Sequence, residues 1–530
     1  MNNKILIGSR GSELALWQAN FVFNELSKQG VASEIIVIKT QGDKIQNLSL
    51  DKLEGKGFFT KEIEDSLLAK ETDLAVHSHK DLPTVSPEGL SIGAVSYRED
   101  PSELLLINKD ALDNKLKLGF KKNAVIGTSS ARRKSQLLAL RNDIEIKDIR
   151  GNVPTRIQKL RNKDFDAIML AAAGVFRLGL DLSDFIVVKL DPKEFVPAPA
   201  QGVLALQMRD GDNFVGEILS RLNHSDVADT IAIERKILNL FDGGCHLPLG
   251  AYCIKEDNLF KVWVSKANSW DTLPVRIFMQ SETHKGFAEK VVEKIKGLRP
   301  TSVFISRDPE DCTYFTESLR ANGHSVFAES LIKVNRIGID EFESCSWVFF
   351  SSKNAVKHFF DQSPKLPAGV KFAAVGKGTA KAVISYGKEL SFVGNGNDIK
   401  NIGSKFNSKL NGESVLFPMA NKGLRTIQKE LSDKNKSIDL PVYEVLEMQY
   451  INIPETDVVV LTSPSNARSY FKNRKVKPSQ KLIAIGKSTL EEIHNLGFPN
   501  PVLSNSFDET GLLEAVFGCS EININYTPSV

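Results

Sequence analysis

The chain has 530 residues, a net charge of only +3, 42% hydrophobic and 25% charged residues, the proportions of an ordinary globular protein. At that length several domains are expected, because single cores stop growing near ~250–300 residues. The short apolar run Ile5–Ile7 meets Arg10 and Glu13 too soon for a secretory leader, and no stretch reaches the ~18 apolar residues of a membrane helix. Cys245, Cys253, Cys312, Cys345 and Cys519 are odd in number, scattered and without a Cys-x-x-Cys pair. They exclude a disulfide framework and a structural zinc site, so a cytoplasmic setting without bound metal is expected.

In chain order, Lys4–Gly8 reads as a strand, and Ser12 caps a helix whose apolar face is Leu14, Leu16, Trp17, Phe21, Val22 and Leu26. Glu34–Lys39 and Leu74–His77 are further strands, with a helix start at Phe59-Thr60 between them. Ala124–Gly127 feeds a helix near Ser130, Glu145–Ile149 feeds one near Pro154, and Ala167–Leu170 ends at a glycine-containing turn. A proline-rich return, Val196–Gly202, leads to the strand Val203–Gln207. The alternation of strands and helices predicts α/β domains, with residues 1–100 plus 197–222 forming one lobe and 101–196 a second. Two crossings between lobes make a hinged cleft.

The segment Lys121–Arg177 holds 13 Lys/Arg against 5 Asp/Glu, a local excess of +8 in a nearly neutral chain. Its arginines fall where helices begin: Arg132 and Arg133 after Gly127–Ser130, Arg150 and Arg156 around Gly151-Asn152, and Arg177 after Ala171–Gly174. Guanidinium forks and helix N-termini both suit carboxylates or phosphates, which points to a small polyanion.

Residues 223–297 change texture, with a helix over Asp226–Leu240 followed by the strands Leu259–Val264 and Val275–Gln280. This is a small α+β unit, and Gly297–Pro300 is a linker. The remainder is an internal duplication: Ser302, Ser352 and Gly376 recur as Ser414, Ser463 and Gly486 in matching surroundings, at offsets of 112, 111 and 110 residues. That period is too long for a solenoid and fits two doubly wound α/β lobes. Ser352, Thr379 and Ser463 stand at strand-to-helix turns, as anion contacts or as plain helix N-caps.

Two motifs carry chemistry. His77–Pro83 puts Lys80 and Asp81 at a strand's C-terminal end, where a carboxylate can stabilise a cation or move a proton; a solvated Lys–Asp turn is the alternative. Cys245, within Gly243-Gly244-Cys245-His246-Leu247-Pro248, sits in a tight exposed loop, open to a role as nucleophile, covalent tether or inert apolar group.

With these residues in place, 1–297 resembles the hydroxymethylbilane synthase (porphobilinogen deaminase) family. The match runs through Gly8–Ala15, Gly55–Phe59, His77–Pro83, Gly127–Arg133, Arg150–Arg156 and Gly243–Gly250. His79, Pro154 and Ala200 depart from the family pattern, which often has Met at the first and Gly at the last. The resemblance implies a two-lobed, periplasmic-binding-protein-like α/β enzyme with a third α+β domain. It implies a dipyrromethane cofactor joined to Cys245 by a thioether, with Lys80, Ser129, Arg132, Arg133 and Arg150 contacting it. Four porphobilinogen units are joined with loss of ammonia, Asp81 being catalytic and Arg10, Ser12, Lys56, Phe59, Arg156 and Arg177 binding substrate. Residues 301–525 resemble uroporphyrinogen-III synthase through Phe350–Ala355, Val375–Thr379, Thr462–Ser465 and Val442-Tyr443. There the resemblance implies one lobe from 301–335 plus 445–525 and another from 336–444, with Tyr443 catalytic and Ser352, Thr379 and Ser463 as substrate contacts. The fused pair is expected to make hydroxymethylbilane and cyclise it to uroporphyrinogen III, against the alternative of an inactive synthase half. A solute-binding module explains the arginines but neither Cys245 nor Asp81. Nucleic-acid binding is opposed by the near-neutral charge and scattered arginines, so small-molecule substrates, without nucleic acid or membrane, are expected; a monomer is the default expectation, on which the residues themselves are silent.

Overall fold

The computed structural model describes residues 4–40, 60–242, 247–395, 398–449 and 452–519. It divides into two compact units, the first holding Met1–Pro300, Glu317–His324 and Leu513–Val530, the second Thr301–Thr316 and Ser325–Leu512.

The first unit contains three sheets. Strands β1 (Ile5–Arg10), β2 (Ser33–Ile38), β3 (Leu74–Ser78) and β4 (Leu90–Val95) join β10 (Leu204–Arg209) in the order β2-β1-β3-β10-β4. β1 runs parallel to β2 and β3, while β10 returns antiparallel between β3 and β4. The second sheet orders β7 (Glu145–Lys147), β6 (Val125–Gly127), β8 (Ala167–Ala171), β5 (Glu103–Asn108) and β9 (Phe185–Leu190). The chain therefore passes between these sheets twice, from β4 to β5 and from β9 to β10. The third sheet is an antiparallel meander of β11 (Leu249–Glu256), β12 (Leu259–Lys266) and β13 (Val275–Ser281).

Local chemistry explains the helices that matter for the site. Helix α1 (Glu13–Lys28) starts where the Ser12 hydroxyl accepts from the Ala15 amide, and Val22 and Leu26 bury its inner face. After α2 (Lys61–Leu68), α3 (Ala131–Leu140) is capped by Ser130 accepting from the Arg133 amide. Asn152 caps α4 (Val153–Arg161), and Pro154 occupies its first turn, where a missing N–H costs nothing. That departure from the family pattern is harmless. Helix α5 (Ala172–Leu178) ends on Gly179 in the left-handed conformation. Helices α6 (Asn213–Ser220), α7 (Ser225–Leu240) and α8 (Phe287–Lys296) also belong to this unit.

The second unit has two sheets. One is wholly parallel, in the order β15 (Ser325–Ala328), β14 (Ser302–Ile305), β22 (Val458–Leu461), β23 (Lys481–Ala484) and β24 (Val502–Leu503). The other orders β16 (Ile332–Arg336), β21 (Lys436–Glu447), β20 (Ser414–Ala420), β17 (Trp347–Phe350), β18 (Lys371–Ala374) and β19 (Leu390–Val393). The strands β17 and β22 are apolar throughout and fully buried, the signature of parallel sheets covered on both faces. Matching helices follow the repeated strands: α10 (Lys353–Phe360) after β17 and α13 (Pro464–Asn473) after β22. The helix α9 (Thr313–Ala321) precedes them, α11 (Lys377–Ser385) and α14 (Lys487–Asn495) follow β18 and β23, and α12 (Ile399–Asn407) lies between β19 and β20. The duplicated α/β pattern read from the spacing is thus present in the structure. Among the described residues no helix is long and apolar enough to cross a membrane.

Candidate functional sites in the two units

The first site is built at the ends of β3, β5 and the α3 and α4 N-termini. β3 delivers a single 3-10 turn, His79–Asp81. Asp81 is exposed, whereas Lys80 is half-buried and donates to the Gln201 side chain at 3.3 Å. Burial pulls the Lys80 ammonium below its usual range, opposed by the charge of Asp81. The turn is anchored from behind: His77 and His79 are buried, and desolvation lowers their imidazoles to about 4 and about 3. His77 meets the Gln207 carbonyl oxygen at 3.1 Å, and the Gln207 amide in turn donates to Glu64 at 3.1 Å.

Opposite stands the arginine group. Arg132 and Arg133 are nearly buried, and both point a fork at Glu103, a carboxylate with no exposed surface. Arg132 Nη2 lies 2.5 Å from one Glu103 oxygen and Arg133 Nη2 2.6 Å from the other. Their remaining Nη1 groups donate to the carbonyls of Val196 (2.8 Å) and Met169 (3.0 Å). Burial raises the Glu103 carboxyl, but the two guanidiniums win and hold it down to about 2. Sequence reading missed Glu103. The available signal was a carboxylate directly preceding the apolar run Leu104–Ile107, which has to be paired if it is buried.

The other candidates divide into committed and available groups. Ser129 both donates to and accepts from the Ile149 backbone, at 2.9 and 3.0 Å, tying two segments of the second sheet. Ser12 is the α1 cap. Arg156 Nε donates to the Gly151 carbonyl; burial, then the charge of Arg133, lower its guanidinium to about 10, with Asp81 pulling the other way. Arg177 donates to the Gly202 carbonyl at 2.7 Å and lies over the Trp17 ring. Buried guanidinium nitrogens without a partner remain on Arg133 (Nε), Arg150 (Nη2) and Arg177 (Nε). Buried donors left open in this way cost free energy and suit incoming acceptors. Arg10 ends β1 close enough for its charge to depress His77. Cys245, Lys56 and Phe59 lie outside the described residues. Cys253, Cys312 and Cys345 are buried thiols whose ionisation burial pushes up, which makes them poor nucleophiles.

A second carboxylate, Glu234 on α7, also escaped sequence reading. It is fully buried, pairs with Arg98 at 2.6 Å, and accepts from the amides of Ala200 and Cys253, each at 2.7 Å. Arg98 Nε donates to the Gln201 carbonyl at 3.1 Å. The pair therefore fastens both crossings between the first two sheets to α7 and β11. Ala200, where the family pattern has glycine, carries a positive φ of 61°, a strained conformation that its amide bond to Glu234 helps to hold. Gly202 at φ 90° admits no side chain, since a Cβ would lie 2.2 Å from the Glu99 carbonyl oxygen.

The second unit brings Ser352 and Tyr443 together. The tyrosine hydroxyl lies 3.1 Å from Ser352 Oγ, which caps α10 by accepting from the Ala355 amide at 3.0 Å. The ring is nearly buried and stacks on His358, and burial raises the phenol above its ordinary range. Ser463 is the equivalent cap of α13, accepting from Asn466. Thr379 lies buried in the first turn of α11. The plain capping role holds for both serines.

Residues 5–217 match the family model described as porphobilinogen deaminase, dipyromethane cofactor binding domain, and residues 314–514 match uroporphyrinogen-III synthase HemD. The chain is 45% identical to the porphobilinogen deaminase of Oceanobacillus iheyensis over 251 residues, 47% of this chain and 80% of that protein. It is 44% identical to that of Bacillus cereus over 257 residues, 48% of this chain and 82% of that one. Uroporphyrinogen-III synthetase from Helicobacter pylori, a solved structure, aligns with 41% of this chain and 99% of its own at 17% identity and a TM-score of 0.32.

Proposed function

Since the chain belongs to the porphobilinogen deaminase family and carries a uroporphyrinogen-III synthase region behind it, it is a bifunctional enzyme of tetrapyrrole biosynthesis, and we propose how its own residues divide the work. The N-terminal half joins four porphobilinogen molecules into hydroxymethylbilane, and the C-terminal half closes that chain to uroporphyrinogen III.

Each added pyrrole forms one carbon–carbon bond, expels one ammonia and brings two carboxylates. The catalytic problem is therefore a cation that appears when ammonia leaves, inside a cleft that must also hold a lengthening polyanion. Asp81 answers the first need: an exposed carboxylate facing Arg156 stabilises the transient cation and takes the proton released on bond formation. The arginines answer the second. The open nitrogens of Arg133, Arg150 and Arg177 are the observation that carries this reading, because acidic side arms would satisfy them. The same donors fit a dipyrromethane group, with Cys245 as its tether and Lys80, Arg132, Arg133 and Arg150 as its holders. That cofactor supplies the growing end to which pyrroles are joined. Ser129 supports the site by fixing the Ile149 segment next to Arg150. Arg10, Ser12, Lys56, Phe59, Arg156 and Arg177 are assigned to incoming substrate.

In the second unit Tyr443 is assigned to ring closure. Its raised ionisation keeps the phenol protonated, able to donate to a departing hydroxyl while Ser352 orients it. Ser352, Thr379 and Ser463 border the helix N-termini toward which substrate carboxylates are drawn. We assign 1–100 plus 197–222, 101–196 and 223–297 to the deaminase domains, and 301–335 plus 445–525 and 336–444 to the synthase lobes. The near-neutral charge and scattered arginines support small-molecule substrates over nucleic acid; a cytoplasmic monomer is the state we assign.

Intact mass spectrometry of the purified chain tests the tether. The expected result is an increment equal to two linked pyrroles, absent from C245S; an unmodified parent mass would refute it.

A further inference from the structure

The Arg132–Glu103–Arg133 trio is more than an anion site. It is two guanidiniums sharing one carboxylate, a net +1, with all three side chains nearly or wholly buried. A cleft meant only to grip carboxylates would leave both forks open. Here each guanidinium already places its Nη2 against Glu103 and its Nη1 against a backbone carbonyl, so a ligand has to share both arginines with resident acceptors. Arg133 also keeps an Nε with no partner. Lys80 lies within the field of the same three groups.

We propose that Glu103 is a positioning residue that fixes both forks and cancels half their charge, so that the growing polyanion is held loosely enough to shift and, once water has cleaved the bond joining it to the cofactor, to leave. The inference rests on the polyanion reading above. A chain that gains two carboxylates per step would otherwise bind more tightly at each addition, and the last product would dissociate most slowly. A built-in carboxylate caps that gain, because every incoming acid must share guanidiniums with a resident one.

The test uses the full chain, pulsed with porphobilinogen, acid-quenched and weighed intact to count protein-bound pyrroles, with product release followed in parallel. E103Q keeps the shape but raises the trio to +2. It is expected to accumulate protein carrying three and four added pyrroles and to release product about tenfold more slowly. E103D, which keeps the charge, is expected to release within about threefold of the parent. Salt dependence of the parent is the second measurement and carries the test if E103Q does not fold: with the attraction already capped, release is expected to change by less than about threefold between low and high salt. A parental mass distribution in E103Q, equal retention in E103Q and E103D, or a steep acceleration of parental release by salt would each overturn the inference while leaving the polyanion reading intact. Absence of pyrrole increments in the parent would remove that reading, and this inference with it.

Discussion

The fastening of the two crossings gives the sharpest structural prediction. Replacing Glu234 with alanine removes a buried carboxylate that Arg98 grips through both Nη atoms, at 2.6 and 3.2 Å. It also strands the amides of Ala200 and Cys253, and relaxes the strained φ at Ala200. Breaking a buried ion pair from one side costs about 3–5 kcal/mol, because the remaining charge stays desolvated. At roughly 2 °C per kcal/mol for a unit of this size, the first unit should unfold about 6–10 °C earlier. Differential scanning calorimetry of the full chain reads this directly, with E234Q expected to fall between E234A and the parent because its amide still bonds Arg98. A shift below about 2 °C in E234A would refute the reasoning, since the pair would then be dispensable to the crossings.

Three further outcomes are expected. D81A should abolish bilane formation with an unchanged melting temperature, because the side chain is exposed; substantial residual turnover would remove Asp81 from the chemistry. Y443F should spare bilane formation and slow ring closure, so that type I product from spontaneous cyclisation accumulates; unchanged type III output would demote the tyrosine. Acid stability should follow the buried histidines. Their folded pKa values lie below the usual 6.5, so unfolded chains take up protons first as pH falls, and stability present above pH 6.5 is lost toward about pH 4. At pH 5 His77 alone should cost roughly 2 kcal/mol, and H77Q should flatten this limb of a urea-midpoint profile; identical parental midpoints at pH 7 and pH 5 would contradict it.

The elements were legible where local chemistry decides them. Ser12, Ser130, Ser352 and Ser463 announce helix starts because a hydroxyl can satisfy an orphan amide, and all four do so in the structure. The duplication was readable because buried parallel strands such as Val348–Phe350 and Val458–Leu461 repeat an apolar run before a capping turn. What stayed hidden were the residues whose meaning is purely tertiary. Glu103 and Glu234 belong to no motif, and their arginine partners lie 29 to 136 positions away in the chain. The charge excess around Arg132 revealed that anions matter, but not that a resident carboxylate already occupies two of the forks.

The most direct trial of the whole scheme is chemical. The purified chain is supplied with porphobilinogen alone, the cyclised product is oxidised to its porphyrin, and the isomer is identified. Two working halves predict the type III isomer as the main product with release of ammonia. Type I alone would contradict the assignment of the second unit, and no tetrapyrrole at all would contradict that of the first.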